Sequence, residues 1–212
     1  MISIKVFIGK PDNPASGAWV QLPVSEEELA SLPTRYGTQE GEYIISDSEV
    51  DGVELRINEP TRLEDLNEFA EWCDSEDPNP SVVAAIQDTI GWNSSFEDII
   101  DKYNQGDFTV LDGETEYDLG QSYIDMVGGF DNINNIENYI DWDSFRRDLR
   151  YDCPEDEDEE EWLDSMIDEY QSDPEGMLGR EGMERYFDYE SFGSDLKNDG
   201  FAQYLGFWVQ VF

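Results

Sequence analysis

The sequence predicts an α+β chain of three small domains, and three observations carry that prediction. The first residues alternate with the period of a strand, the period becomes helical after Pro60, and the segment Tyr139–Leu149, YIDWDSFRRDL, is written again at Tyr186–Leu196 as YFDYESFGSDL. At 212 residues the chain is long enough to bury real cores. Its 6 Trp, 11 Tyr and 11 Phe separate it from disordered acidic chains, which lack the apolar area to offset the entropy of ordering.

Taken in order, Ile2, Ile4, Val6 and Ile8 fall on every second position and predict a half-buried strand. After the turn-rich GKPDNPASG, Ala18–Leu22 predicts a second strand, and Ser25 with Glu28 forms a capping box for a short helix, SEEELASL. Glu42–Ile45 and Val53–Ile57 predict two more strands, completing an α+β domain over residues 1–60.

A small helical domain follows over residues 61–106. Thr61, with Glu64 three residues on, reads as a cap for a helix burying Leu63, Leu66, Phe69, Ala70 and Cys73 and exposing Glu64, Glu68 and Glu71. Pro80–Ile90 reads as a second helix, with Val83, Ile86 and Ile90 apolar and Gly91 as its stop. A third starts at Ser94 or Ser95 and buries Phe96, Ile99, Ile100 and Tyr103.

Residues 107–212 form the third, α+β domain: a strand at Phe108–Leu111, a helix at Leu119–Val127 ended by Gly128 and Gly129, and then the first copy of the repeat. The two copies share Tyr139/Tyr186, Asp141/Asp188, Ser144/Ser191, Phe145/Phe192, Asp148/Asp195 and Leu149/Leu196, and each reads as a short amphipathic helix. Between them, the seven consecutive carboxylates Glu155–Glu161 repel one another and predict a solvated loop. Trp162, Met166 and Tyr170 predict a helix broken by GMLGREG, and Phe201–Phe212 predicts a closing hairpin around Gly206.

Charge dominates the composition. Fifty-two carboxylates stand against 12 Lys and Arg, with no His, for a net charge of −40. Self-repulsion on that scale opposes compaction, so a folded chain that keeps it is either salt-adapted or uses the field. That charge strongly disfavours nucleic acid, and none is expected as a partner. Duplex DNA carries one charge per roughly 1.7 Å, so 40 charges correspond to about 68 Å, or some 20 base pairs. The carboxylate rows are unusual because basic neighbours are scarce: only Arg62 is near Glu64, Glu68 and Glu71, and only Lys102 is near Glu97, Asp98 and Asp101.

Little in the sequence points to catalysis, and no cofactor is expected. Without His, Ser–His and Cys–His nucleophiles and histidine metal sites are excluded. Cys73 and Cys153 form neither a disulfide framework nor a zinc site, and Cys153, beside Pro154 in acidic surroundings, is expected to have a raised pKa. There is no Gly-rich phosphate loop, and carboxylate pairs are too common here to single one out. Asp47, Glu49, Asp51 and Gly52 begin an EF-hand pattern, but Asn58 stands where the bidentate Glu belongs, and the flanks read as strands. With no apolar leader and no run approaching 18 apolar residues, the expected location is the cytoplasm.

Several segments resemble, in family order, the ArdA antirestriction proteins: IKVFIG, GAWVQLP, EYIISDSE, INEP, DIIDKYNQGDFTVLDG, LGQSYIDM, and YFDYESFGSDL followed by a short strand. The resemblance implies an elongated, curved protein of three small domains that dimerises through its C-terminal part and copies the charge and shape of bent DNA. It also implies an inhibitor without catalysis, carried by mobile elements or phages, that occupies the DNA-binding groove of type I restriction-modification enzymes and possibly other DNA-binding defence proteins. The family pattern has the YxDYExFGxDL segment once. The second copy matches it, so the first copy and the acidic run near 150–182 read as an insertion.

On this reading the partner-binding carboxylates are a distribution: Glu64, Glu68, Glu71, Glu97, Asp98 and Asp101, with Asp141, Asp143, Asp188, Glu190 and Asp195 of the repeat. Arg146, Arg147 and Arg150 do not suit a phosphate-like face and are expected to pair internally, with the 155–161 run as the nearest source of carboxylates. Two alternatives use the same charge differently: a salt-adapted globular protein, and a calcium-binding acidic protein.

Overall fold

The computed structural model describes residues 1–35, 43–57, 61–91 and 93–212. It is a mixed α+β chain in two compact units, Met1–Val110 with Ala202–Phe212, and Leu111–Phe201.

In the first unit the predicted opening strand is β1 (Ser3–Lys10), with Ile4, Val6 and Ile8 almost wholly buried. It is the centre of an antiparallel sheet, flanked by β2 (Asn13–Leu22) and β3 (Ile44–Asp51). β2 begins five residues before the predicted Ala18, because a bulge at Gly9/Lys10 lets Lys10 pair with Asn13. Gly17 faces Gly9 there, and a Cβ at Gly17 would lie 1.9 Å from the Ile8 carbonyl oxygen. The expected strand at 42–45 runs later than predicted, starting at Ile44 and continuing to Asp51; Glu42 lies outside the described residues. Ser25 Oγ accepts from the Glu28 N–H at 3.3 Å and starts α1 (Glu26–Arg35).

The strand expected at Val53–Ile57 does not form. Gly52, at φ +87°, turns the chain off β3, and among the described residues no strand pairs with 53–57. Instead the buried Gln87 side chain serves Arg56 as a strand would: its Oε1 accepts from the Arg56 N–H and its Nε2 donates to the Arg56 carbonyl, each at 2.9 Å. Asn67 does the same for Val24, at 2.8 and 3.1 Å.

Three helices cover this unit's core: α2 (Leu63–Glu76), α3 (Pro80–Ile90) and α4 (Phe96–Gln105). Thr61 is not the cap of α2. The chain enters at Arg62 without a side-chain cap, and the Tyr43 hydroxyl accepts from the Leu63 N–H at 3.0 Å in its place. Asn79 caps α3 and Pro80 opens it, where a missing N–H costs nothing. Every residue from Ser81 to Gln87 is buried, so α3 is inside on all sides rather than along one stripe. Ser95 and Asp98 close a reciprocal capping box on α4. One buried cluster joins Ile4, Val6 and Ile8 to Leu66, Phe69, Val83, Ile86 and Val209, so the regions on either side of residue 60 share a core.

A second sheet, in the order β4 (Phe108–Asp112), β6 (Phe207–Val211), β5 (Ala202–Tyr204), contains the predicted closing hairpin. Its two-residue turn, Leu205–Gly206, has both φ angles positive, the geometry that matches the twist of paired strands.

The second unit is helical. Thr115 and Asp118 form a capping box on α5 (Glu116–Val127), and Gly128, at φ +92°, ends it. The repeat copies are α6 (Trp142–Leu149) and α9 (Tyr189–Asn198). Between them lie α7 (Glu159–Ser172) and α8 (Pro174–Tyr186).

Two expectations for this stretch change. The acidic run is a loop only as far as Asp158, which caps α7; Glu159–Glu161 occupy the first helical turn, where the helix dipole favours negative charge. GMLGREG does not end α7, which stops at Ser172, but it does break the next helix. Asp173 and Pro174 start α8, the glycines lie inside it, and at Gly179 (φ +64°, ψ 175°) the backbone leaves helical geometry between two helical pieces. The buried stripe of α7 is Leu163 and Ile167, with Trp162, Met166 and Tyr170 half-buried beside it.

Candidate functional site

The middle-domain carboxylates fall on the solvent sides of α2 and α4, because the opposite sides are filled by Leu63, Leu66, Phe69, Phe96 and Ile99. Glu64, Glu68 and Glu71 are exposed along α2, and Glu97, Asp98 and Asp101 along α4. They differ in what they touch. Glu64 accepts from the Tyr43 hydroxyl at 3.3 Å and lies 3.7 Å from Arg62. Glu71 accepts from Asn67 at 2.8 Å. Asp98 closes the α4 cap, and the bonds from Ser95 hold its carboxyl below the usual carboxylate range. Among the described residues no ion pair reaches Glu68, Glu97 or Asp101. Lys102, the nearest cation in sequence to Glu97 and Asp101, turns to Asp107 at 3.8 Å and to the Phe212 carbonyl.

The repeat carboxylates divide the same way. Asp141 and Asp188 are the helix caps of α6 and α9, accepting from the Ser144 and Ser191 N–H groups at 2.9 and 3.0 Å. The Ser144 bonds pull the Asp141 pKa down. Asp195 accepts from the Tyr139 hydroxyl at 2.9 Å. Asp143 and Glu190 are exposed in the first turns of their helices. The doubled D-x-x-S spacing was the sequence signal for the capping role.

The arginines of the first copy pair internally. Arg146 bonds Glu160 at 2.8 Å and Asp164 at 2.6 Å, Arg150 bonds Glu159 at 2.8 Å, and Arg147 lies 3.9 Å from Asp148. The second copy repeats one of these: Lys197, in register with Arg150, bonds Glu116 at 2.7 Å. In both, a cation at the end of a repeat helix meets a carboxylate in the first turn of its neighbour.

A feature that no periodicity announced lies in the second unit. A cavity of about 740 Å³ is lined by Asp125, Asp131, Glu175 and Glu184 with Tyr117 and Tyr189 among its walls. Glu175 shares a hydrogen bond with Asp131, and that bond pushes its pKa up to about 7. The partners are 44 positions apart in sequence and meet only in the fold.

Neither cysteine is poised as a nucleophile. Burial pushes the Cys73 thiol up to about 12; burial, then Glu159, Glu157 and Asp158, raise Cys153, in the direction expected. Asp47, Glu49 and Asp51 lie on β3, not on a loop, and among the described residues no group of three or more metal-type side chains converges. Among the described residues no helix is long and apolar enough to cross a membrane.

The family model for antirestriction protein (ArdA) matches residues 14–156, about two thirds of the chain. The matched span takes in the first copy of the repeat and ends before the second, so the copy inside the family match is the first, against the expectation that the second is the family's own and the first an insertion. No curated protein matches the chain.

Proposed function

Because the chain belongs to the ArdA antirestriction proteins, we propose that it works as a DNA mimic, occupying the DNA-binding groove of a type I restriction-modification enzyme without catalysis. The observation that carries this reading is the disposition of charge. The bases are few, and most of the described ones are spent internally, among them Arg146 and Arg150 on α7, Lys197 on Glu116, Arg185 on Asp148 and Lys5 on Glu49. Glu68, Glu97, Asp101, Asp143 and Glu190 stay exposed, on helices whose other sides are packed. Carboxylates held on ordered helices can stand in for phosphates at little entropic cost, and a net charge of −40 draws a basic groove over long range.

Such a contact is summed over many positions, so these five carboxylates share it with other exposed ones and no single one decides it. The role extends to other DNA-binding defence proteins whose grooves present the same basic lining. The reading places the protein in the cytoplasm, with its targets. The test is inhibition of DNA cleavage by a purified type I enzyme. Added non-cognate duplex should reduce the protein's binding in proportion to its concentration, and protein binding unaffected by duplex would rule the reading out.

A further inference from the structure

Contacts between the two repeat copies come in matched pairs. The Asp141 N–H donates to the Tyr186 carbonyl at 2.8 Å, and the Asp188 N–H donates to the Tyr139 carbonyl at 2.7 Å, on either side of an antiparallel bridge between Ile140 and Phe187. The Tyr139 hydroxyl donates to Asp195 at 2.9 Å, and the Tyr186 hydroxyl donates to Asp148 at 3.0 Å. Tyr139 stands edge-on to Phe192 at 4.9 Å, and Tyr186 edge-on to Phe145 at 5.2 Å. Adding 47 to one partner and subtracting 47 from the other turns each contact into its mate. That is the relation across a two-fold axis, where residue i meets j and j meets i.

The identities between the copies follow this axis. Tyr, Phe and the second Asp make the exchanged contacts, while the first Asp and Ser cap the helices that present them. The differences lie on the far sides. Where the first copy has Arg146, bonded to Glu160 and Asp164 of α7, the second has Gly193, whose backbone lies so close to α5 that a Cβ would sit 1.8 Å from the Glu116 carbonyl oxygen. Each copy thus has its own neighbour behind it and the same face in front.

We infer that this face is a self-complementary pairing surface which the chain closes on itself: the first copy fills the place that a second chain's Tyr186–Leu196 would otherwise take. Since donor, acceptor and rings are identical, a pair of second copies would form the same bonds, Tyr186 of each to Asp195 of the other. The folded connector through α7 and α8 holds the first copy at an effective concentration of about millimolar or more, so a second chain at micromolar concentration does not displace it. A homodimer of the full chain through its C-terminal part therefore joins by residues outside these faces. This inference stands apart from the proposed DNA mimicry.

Disulfide trapping tests it. Ile140 and Phe187 form a non-hydrogen-bonded antiparallel pair, for which Cα atoms are about 4.5 Å apart and within disulfide range. In the full chain with Cys153→Ser, Ile140→Cys/Phe187→Cys should oxidise to a single-chain species lacking two hydrogens by intact mass. Disulfide-linked dimers joined 140 to 187, or free thiols in a folded chain, would overturn closure within the chain. As a second measurement that needs no buried substitution, Tyr139→Phe and Tyr186→Phe should each lower the folding equilibrium constant about 2- to 10-fold. The loss should be the same across an about 100-fold range of protein concentration, and a concentration-dependent loss would place the pairing between chains. Self-complementarity is read separately: Phe187→Cys alone should stay single-chain, whereas Phe187→Cys with Tyr139→Ala and Asp148→Ala should form a 187–187 dimer. A triple variant that is folded but stays single-chain would overturn that part.

Discussion

The side-chain amide of Gln87 bonds both the N–H and the carbonyl of Arg56, at 2.9 Å each, and in doing so replaces the partner strand that residues 53–57 lack. Gln87 is buried. Gln87→Leu should leave both backbone groups without this partner and cost about 2–3 kcal/mol, measured by urea unfolding. A loss below about 0.5 kcal/mol would mean that the pairing contributes nothing.

Gly193→Ala should be more damaging than its size suggests, because the added Cβ meets the Glu116 backbone at 1.8 Å. Separating α5 from α9 to admit it should cost about 1–3 kcal/mol or more, read as a lowered Tm. At the equivalent position of the first copy, Arg146→Ala loses exposed ion pairs to Glu160 and Asp164 and should cost about 1 kcal/mol or less.

These two positions show what the sequence could and could not convey. Strong periodicity with local punctuation was legible: β1, the Ser95 cap, α3 from Pro80 to Gly91 and the hairpin at Gly206 stand where expected. The strand at 53–57 was read from its own apolar residues, but a strand also needs a neighbour, and the neighbour turned out to be a side chain 31 positions away. The same limit explains Thr61, whose capping role the Tyr43 hydroxyl fills. The doubled YxD...D motif was visible, but its reciprocal exchange was not, because a linear repeat does not say whether its copies face each other or stand apart.

Glu175 should give the protein a pH-dependent element. Its folded pKa, about 7, lies above the ordinary 4.5, so the folded state holds the proton more tightly than the unfolded one. The stabilisation is full below about pH 4.5 and is lost as pH rises through 7. Tm of the wild type minus that of Glu175→Gln should therefore fall between those limits, and the subtraction removes the general repulsion from Asp125, Asp131, Asp173 and Glu184. A flat difference would mean that the Asp131–Glu175 proton is not held in solution.

Capping and exposed carboxylates of the repeat should separate by phenotype. Asp141→Ala and Asp188→Ala remove helix caps and should each cost about 1 kcal/mol of stability. Asp143→Ala and Glu190→Ala should leave stability within about 0.5 kcal/mol. Together with Glu68, Glu97 and Asp101 to Gln or Asn, they should weaken inhibition progressively with each charge removed, in an assay of DNA cleavage. Abolition by any one of the five would point to a conventional site instead.

The most direct measurement is the displacement of labelled duplex DNA from a purified type I restriction-modification enzyme by this protein, followed across a series of salt concentrations. The account predicts mutually exclusive binding, with an affinity that falls linearly in log–log form as salt rises, because the carboxylates take over contacts otherwise made by phosphates. Inhibition of cleavage with the DNA still bound, or an affinity indifferent to salt, would contradict it.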